Sequence, residues 1–252
     1  MQFKAIIFDL GDTLILTDQW KYDKCLMRLL ESLQHENILV STAYEEFKRV
    51  YFEVREQMYL EHESTLREVD FCERISKTLE KFNYKLNSKS PLLKKAIEAF
   101  FSAFIEDIRI EAYVPPLLAK LREKYKLGLV SNFAYPSGFW STLHRFKLTR
   151  FFDTIVVSGE LGFRKPHQKI FEEALKKLDV KATETIFVGD SLKADIYGAK
   201  RLGMKTVFVE NVGLRKNPYA IAGELDPFSV EPDVAIPSLQ GLPKIIDVLQ
   251  LS

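Results

Sequence analysis

The sequence has few of the features that mark secreted or membrane-spanning proteins. Its only two cysteines among 252 residues, Cys25 and Cys72, lie far apart in segments with helical spacing. We therefore expect two core thiols rather than a disulfide framework. No apolar run is long enough to cross a membrane, and the short apolar run near the N-terminus ends at Asp9 and does not resemble a signal peptide. These absences predict a cytoplasmic protein without a membrane partner.

The sequence also lacks an excess of charge of either sign. Lysine and arginine number 36 against 35 aspartates and glutamates, a net charge of +1. Such a chain has no long-range field to attract nucleic acid, so any anion site must be local. The 46 % hydrophobic content can supply a sizeable core. We expect a monomer or homodimer that acts on a small ligand and binds no nucleic acid.

Short apolar runs that end in polar or small residues recur along the chain. They lie at residues 3–8, 127–132, 154–159, 185–190 and 206–210. Helical patterns at 116–125, 137–146, 166–178 and 191–202 separate most of them. This alternation predicts an α/β fold with a Rossmann-like, doubly wound parallel sheet. Ligands of such sheets bind beyond the carboxyl ends of the strands.

Residues 15–113 contain no strand-like run, and their apolar residues recur at helical spacing. Four apolar stripes predict a helical bundle inserted after the first strand. The second helix is expected after a capping box at Thr42 and Glu45, and the third, from Leu66, after another at Thr65 and Glu68. The aromatic residues of these stripes are interpreted as core packing. The predicted division is a core of residues 1–14 and 114–252 and an inserted domain of residues 15–113.

The C-terminal part of the chain has a less regular pattern. Residues 211–232 contain scattered proline and glycine, and we expect a loop or short-helix excursion there, either a functional lid or a tolerated insertion. "VAIPSL" and "LPKIIDVLQ" predict an edge strand and a closing helix.

Polar side chains collect at the predicted strand ends and at the helix starts that follow them. They are Asp9 with Asp12, Ser131 with Asn132, Lys165, and Asp190 with Asp195. Each alone is typical of a helix cap or an exposed loop. Together, three carboxylates concentrate negative charge that a hard cation such as Mg²⁺ would neutralise, and a lysine and a hydroxyl beside it would hold a phosphoryl group.

Four motifs in this order, "DLGDT", "VSN", "GFRKPHQKIF" and "VGDSLKADIYGAKRLG", resemble those of the haloacid dehalogenase-like hydrolase superfamily. The resemblance covers essentially the whole chain, and the insertion is similar to that family's helical cap of the first type. It implies that Asp9 is a nucleophile that forms an aspartyl-phosphate. It also implies that Ser131 and the Asn132 backbone bind phosphoryl oxygens, and that Lys165 neutralises charge on Asp9 and on the phosphoryl group.

The resemblance further implies a Mg²⁺ site. Asp9, Asp190 and the backbone carbonyl of Gly11 would be ligands, Asp195 would complete or support the shell, and Thr13 would buttress the loop. The first motif departs from the pattern, because phosphatases of the family carry their second aspartate where this chain has Gly11. That aspartate protonates the leaving group and activates water. Asp12 either takes over this catalytic role or merely caps the turn.

Three functions follow from these residues. The leading one is a Mg²⁺-dependent phosphatase that hydrolyses a small phosphorylated metabolite. A 2-haloacid dehalogenase is the second, since dehalogenases of the superfamily also lack the second aspartate, although dehalogenation needs no metal. The third is a weakly active phosphate-binding or regulatory protein.

Overall fold

A computed structural model describes residues 2–17, 21–211 and 230–251. Within these ranges, six parallel strands form one sheet in the order β3-β2-β1-β4-β5-β6. The strands are β1 (Ala5–Phe8), β2 (Lys126–Ser131), β3 (Thr154–Val157), β4 (Thr185–Gly189), β5 (Lys205–Val209) and β6 (Val234–Ile236). The chain winds outward from β1 to β3 and returns to β4 on the other side of β1. The predicted doubly wound α/β fold is confirmed.

Both faces of the sheet are covered. Ile6 and Phe8 belong to a core cluster that extends into the inserted helices, whereas Ala5 and Ile7 belong to a second cluster on the opposite face. All four residues of β1 are fully buried. This burial explains why the first strand is a continuous apolar run rather than an alternating one.

The helices outside the insertion connect the strands and cover the sheet. They are α5 (Val114–Arg122), α6 (Pro136–Arg145), α7 (Ser158–Leu161), α8 (Gln168–Leu178), α9 (Gly198–Lys200) and α10 (Leu242–Leu251). Short 3₁₀ helices span Thr149–Phe151, Ala182–Glu184 and Leu239–Gly241. The helix predicted over residues 191–202 is instead a π-helical turn, Leu192–Tyr197, that leads into α9. Such turns are frequent at functional sites, and this one carries Asp195.

Four helices occupy the insertion: α1 (Tyr22–His35), α2 (Tyr44–Glu61), α3 (Phe71–Glu80) and α4 (Pro91–Asp107). Helix α1 packs mainly on α4, and α2 packs mainly on α3. The two connections to the core pair with each other, because Leu16 N donates to Arg109 O at 2.7 Å and Arg109 N donates to Leu16 O at 3.1 Å. The insertion therefore has a short antiparallel neck. Its division from the core at residues 14/15 and 113/114 stays a prediction.

Both predicted capping boxes in the insertion are wrong. Helix α2 follows Ala43, which makes no side-chain cap, and α3 begins only at Phe71, where Asp70 accepts a hydrogen bond from Glu73 N at 2.8 Å. The stretch predicted as the start of the third helix, residues 66–69, runs along the core instead. Its backbone groups pair with the core loop before Lys165, and this tertiary pairing replaces helical hydrogen bonds.

At the C-terminal end, β6 and α10 confirm the predicted edge strand and closing helix. Most of the predicted 211–232 excursion, residues 212–229, lies outside the described residues. Among the helices in the described ranges, none combines the length and apolar character that a membrane span requires.

Candidate active site

Several of the predicted site residues meet at the carboxyl edge of the sheet. Asp9 directly follows β1, and its amide donates to Val188 O at 2.9 Å on the neighbouring strand. Ser131 is the last residue of β2 and is buried. Asp190 directly follows β4. Because β1 lies between β2 and β4, these three side chains project from adjacent strand ends.

Lys165 reaches the centre of this edge from the loop before α8. Its Nζ donates to Asp9 Oδ1 at 2.5 Å and to Val130 O at 3.0 Å, and it lies 2.7 Å from Asp195 Oδ1. The charges of Asp195 and Asp9 raise the pKa of the Lys165 ammonium, against the opposing effect of its burial. Lys165 therefore keeps its positive charge beside Asp9.

Asn132 holds the backbone of Lys165 in place. Its side-chain Oδ1 accepts from Lys165 N at 2.7 Å, and its Nδ2 donates to Lys165 O at 3.1 Å. The sequence predicts only a backbone role for Asn132 in phosphoryl binding, and this side-chain role was missed. The only indication in the sequence was that Asn132 is a polar residue directly after the strand that ends at Ser131.

Asp195 enters the site from the π-helical turn and is fully buried. Its Oδ2 accepts from Ser191 N at 3.0 Å. A Cβ atom on Gly189 would lie 2.7 Å from Asp195 Cβ, a distance that real Cβ atoms do not show. The end of β4 must therefore be glycine for Asp195 to reach Lys165. Sequence reasoning missed this requirement, although a glycine directly before Asp190 was visible.

The carboxylates of this edge carry perturbed pKa values. Burial raises the pKa of Asp9 to about 6, with Lys165 opposing the shift and Asp195 adding to it. Burial and the charges of Asp9 and Asp195 raise the pKa of Asp190 well above its usual range. Thr13 Oγ1 contacts Asp190 Oδ1 at 3.5 Å, in keeping with its predicted buttressing role. The site thus carries more negative charge than its own lysine balances.

The residues fit a magnesium ion. One carboxylate oxygen each from Asp9, Asp190 and Asp195 lies within 4.8 Å of the others, and opposite ligands of octahedral Mg²⁺ are about 4.2 Å apart, twice the usual bond length. Three carboxylates beside one ammonium leave two negative charges, which one divalent cation would neutralise. Asp195 Oδ1 is buried and lies 2.7 Å from Lys165 Nζ, and a carboxylate oxygen in such an ion pair keeps a further lone pair that a metal ion can use.

Asp12 lies in the turn after Asp9, but its carboxylate accepts hydrogen bonds from Thr17, next to the neck of the insertion. Oδ1 accepts from Thr17 N at 2.8 Å and from Thr17 Oγ1 at 2.7 Å. The Asp12 backbone has a φ of +51°, a left-handed conformation that aspartate tolerates better than most residues. Its carbonyl oxygen accepts from Asn211 Nδ2. These contacts support the capping interpretation, and the catalytic role of Asp12 stays a prediction.

Gly11 leaves open space in the turn that follows Asp9. A Cβ atom built on it meets no other atom within 4 Å, and its φ is not in the left-handed region. A side chain at this position would therefore fit without backbone strain. The chain therefore lacks the second aspartate of the family pattern, although the space for its side chain is present.

Ser158, which follows β3, links the site to the inserted helices and was not singled out from the sequence. Its Oγ accepts from Phe133 N at 2.8 Å and donates to Glu68 Oε2 at 2.5 Å. This chain of hydrogen bonds joins the 66–69 segment to the loop that follows Ser131. The amide of Phe133 is thereby occupied, whereas that of Asn132 remains the predicted phosphoryl donor.

The chain matches the family model described as haloacid dehalogenase-like hydrolase over residues 6–209. It is 30 % identical over 251 residues to the glyceraldehyde 3-phosphate phosphatase of Pyrococcus furiosus, covering 99 % of this chain and 94 % of that protein. The Pyrococcus abyssi protein of the same name is 32 % identical over 206 residues, 81 % of this chain and 80 % of that protein.

Solved structures share the fold. A HAD phosphatase from Thermococcus onnurineus has a TM-score of 0.65 at 24 % identity, with 97 % of this chain and 98 % of that chain covered. A 2-haloacid dehalogenase from Pseudomonas syringae has a TM-score of 0.72 at 23 % identity, with 98 % and 100 % covered. These structural likenesses concern the fold alone. Because the family model matches residues 6–209, which is most of this chain, the chain belongs to the haloacid dehalogenase-like hydrolases.

Proposed function

We propose that this protein is a Mg²⁺-dependent phosphatase that hydrolyses a small phosphorylated metabolite through an aspartyl-phosphate on Asp9. The observation that carries the proposal is the meeting of Asp9, Asp190 and Asp195 around Lys165. Two relatives named glyceraldehyde 3-phosphate phosphatase support the substrate class. Glyceraldehyde 3-phosphate is accordingly the first metabolite to test.

In the first step, a carboxylate oxygen of Asp9 attacks phosphorus, and the bond from phosphorus to the substrate oxygen breaks. The released alkoxide takes a proton from water or from an acid, and water then attacks the phosphoryl group and regenerates Asp9. Lys165 stabilises the negative charge on the phosphoryl oxygens during both steps, while Ser131 and the Asn132 amide orient them. A bound Mg²⁺ would supply further charge neutralisation through the three aspartates.

The position of the Asp12 carboxylate affects the expected rate of hydrolysis. Because Thr17 holds the Asp12 carboxylate, we expect protonation of the leaving group to be weakly assisted. Substrates with good leaving groups should react well and poor ones slowly, since a positioned acid contributes on the order of 10² to 10⁴ in rate. This observation keeps the weakly active phosphate-binding protein as a second candidate.

One set of assays separates the candidates. The protein is incubated with p-nitrophenyl phosphate and glyceraldehyde 3-phosphate, with Mg²⁺ and with EDTA, and separately with 2-chloropropionate without metal. The proposal expects Mg²⁺-dependent phosphate release that Asp9→Asn abolishes. Chloride release that EDTA leaves unchanged would instead identify a dehalogenase, and phosphate binding without turnover would identify a binding protein.

The same proposal includes three sequence predictions. They are the division into core and cap, the state of monomer or homodimer, and the location in the cytoplasm.

A further inference from the structure

A cluster of arginines lies where α2, α3 and the loop before Lys165 meet. The guanidinium carbon of Arg164, from the core, lies 4.6 Å from the centre of the Tyr59 ring, and that of Arg74, from α3, lies 5.2 Å from it. Arg55 approaches the same ring at 5.6 Å. Arg74 is buried, with 4 % of its surface exposed. One tyrosine ring of the insertion thus has cationic groups of both the insertion and the core around it.

Arg74 and Arg164 each have an N–H group that makes no hydrogen bond within the described residues. Arg74 Nη1 donates to Tyr51 Oη at 3.1 Å and Nη2 donates to Tyr59 Oη at 3.2 Å, but Arg74 Nε is buried without a partner. Arg164 Nε is also buried without a partner. In the part of the chain that the structure describes, no carboxylate lies within 4.0 Å of either guanidinium. Both groups therefore offer N–H donors that no acid of the described chain accepts.

Neighbouring groups do not balance the charge. Burial raises the pKa of Tyr59, so its hydroxyl stays protonated and neutral at physiological pH. The Glu68 charge also raises the pKa of Tyr59, but the Glu68 carboxylate oxygens accept hydrogen bonds from Val69 N at 2.8 Å and from Ser158 Oγ rather than from the arginines. Arg74 is a buried cation, which is unfavourable unless an anion is supplied, and Arg164 is half-buried beside it. The cluster has the composition of a binding site for an acidic group.

The cluster adjoins the proposed phosphoryl site. Arg164 directly precedes Lys165, and adjacent Cα atoms are about 3.8 Å apart. Arg164 N also donates to Leu66 O at 2.9 Å, so the guanidinium of the core meets Tyr59 where the insertion contacts the core. The same loop therefore carries both Lys165 and one arginine of the cluster, at the boundary between the insertion and the core.

We propose that Arg74 and Arg164 form a second anion subsite, which binds an acidic group, carboxylate or phosphate, at the end of the substrate distant from the scissile phosphoryl group. This inference rests on the proposed function and narrows its substrate class. Arginine suits the role because its planar donors pair with both carboxylate and phosphate. A phosphorylated acid or a bisphosphate should react better than a phosphorylated aldehyde of similar size.

The test compares three substrates by kcat/KM: glyceraldehyde 3-phosphate, 3-phosphoglycerate and ribulose 1,5-bisphosphate. The first has a neutral distal end, the second a carboxylate and the third a phosphate. We expect at least tenfold preference for one of the acidic substrates over the aldehyde, and the acid preferred identifies the source of the anion. Equal values, or preference for the aldehyde, would overturn the inference.

Variants then assign the preference to the arginines. Arg164→Met retains an apolar contact with Tyr59 but removes the charge, and it should lower the ratio of kcat/KM for the preferred acid to that for the aldehyde by about 10- to 100-fold, mainly through KM. Arg74→Met should act in the same direction. Arg150→Met, which removes a guanidinium stacked on Phe151 outside the site, is the matched control. An unchanged ratio in Arg164→Met would show a structural role and overturn the subsite.

Binding separates this inference from the proposed function. The affinity of the preferred acid for the Asp9→Asn protein is measured by calorimetry, with and without Arg164→Met. If binding weakens about tenfold or more in the double variant while the wild type hydrolyses nothing, the subsite stands and the phosphatase proposal fails. If binding is unchanged, the subsite fails whatever the activity.

Discussion

The ammonium nitrogen of Lys165 lies 2.5 Å from Oδ1 of Asp9, and both side chains are almost completely buried. A carboxylate in such a position is drawn toward protonation by burial and toward ionisation by the lysine. The result is a pKa of about 6, so the Asp9 carboxyl group is mostly ionised at neutral pH. Asp195 shares the same lysine, which leaves the cluster short of positive charge until a cation binds.

This charge balance predicts how the stability of the metal-free protein depends on pH. Asp9 takes up its proton near pH 6 in the folded chain and near 3.8 when unfolded, so lowering the pH from 7.5 to 5.5 should favour the folded state. For these two pKa values the gain between pH 7.5 and 5.5 is about 0.8 kcal/mol, and the full value of roughly 3 kcal/mol is reached only below the unfolded pKa. Asp190, whose pKa is also raised, adds in the same direction.

Calorimetric Tm values in EDTA at pH 7.5, 6.5 and 5.5 measure this dependence. Asp9→Asn removes its contribution, so the Tm of the variant should gain less on acidification than that of the wild type. Other groups, such as His167 with its lowered pKa, act equally in both proteins. Mg²⁺ should raise the Tm more at pH 7.5 than at 5.5, because its ligands must be deprotonated. Identical slopes for the two proteins would contradict this account of Asp9.

Gly189→Ala should damage the site although it replaces none of the residues assigned a catalytic or metal-binding role. The new Cβ would overlap Asp195 and push it away from Lys165. We expect Mg²⁺ affinity to fall at least tenfold, as it does when groups that support metal ligands are lost. Titration of activity with Mg²⁺ measures the change. Gly241→Ala, whose Cβ would make ordinary contacts of 3.7 Å with Ile236, is the control, and equal behaviour of the two variants would refute the role of Gly189.

Asp12 is tested by a pair of substitutions. Asp12→Asn keeps an oxygen acceptor for Thr17 and tolerates the left-handed backbone, so kcat should fall less than tenfold. Asp12→Ala loses the cap and should lower the free energy of unfolding by about 1 to 2 kcal/mol. Denaturant unfolding and p-nitrophenyl phosphate hydrolysis provide the two readouts. A hundredfold loss of kcat in Asp12→Asn would establish Asp12 as the acid and base.

Gly11→Asp should restore a function that the chain lacks. The position has space for a side chain and no left-handed backbone. If an aspartate there protonates the leaving group, kcat should rise about 10- to 100-fold for alkyl phosphates and much less for p-nitrophenyl phosphate, whose leaving group needs little help. Gly11→Asn adds the same bulk without the acid. Equal rates for the two variants would show that an acid at this position contributes nothing.

The sequence allowed the sheet to be predicted because its strands are buried on both faces and read as uniform apolar runs. The π-helical turn at Asp195 could not be foreseen, since residues 191–202 have ordinary helical spacing. The predicted start of the third helix at Leu66 failed because backbone pairing with Gly162 and Arg164, remote in sequence, outweighs a local capping pattern.

In the candidate site, too, the features that depend on local sequence could be predicted and those that depend on tertiary packing could not. Motif order identified Asp9, Lys165, Asp190 and Asp195, which depend on residue type at strand ends. Contacts that depend on tertiary packing were invisible, among them the Asn132 side chain on the Lys165 backbone and the arginines around Tyr59. Asp12 was ambiguous because its partner, Thr17, is fixed only by the neck of the insertion.

The measurement that tests the central claim most directly is capture of the phosphoryl group on Asp9. The protein is mixed with Mg²⁺ and p-nitrophenyl phosphate, quenched with acid, digested and examined by mass spectrometry. The account predicts a hydroxylamine-sensitive phosphoryl group on the peptide that contains Asp9, absent in EDTA and in Asp9→Asn. Mg²⁺-dependent phosphate release with no phosphoryl group on that peptide, or with full activity in Asp9→Asn, would contradict it.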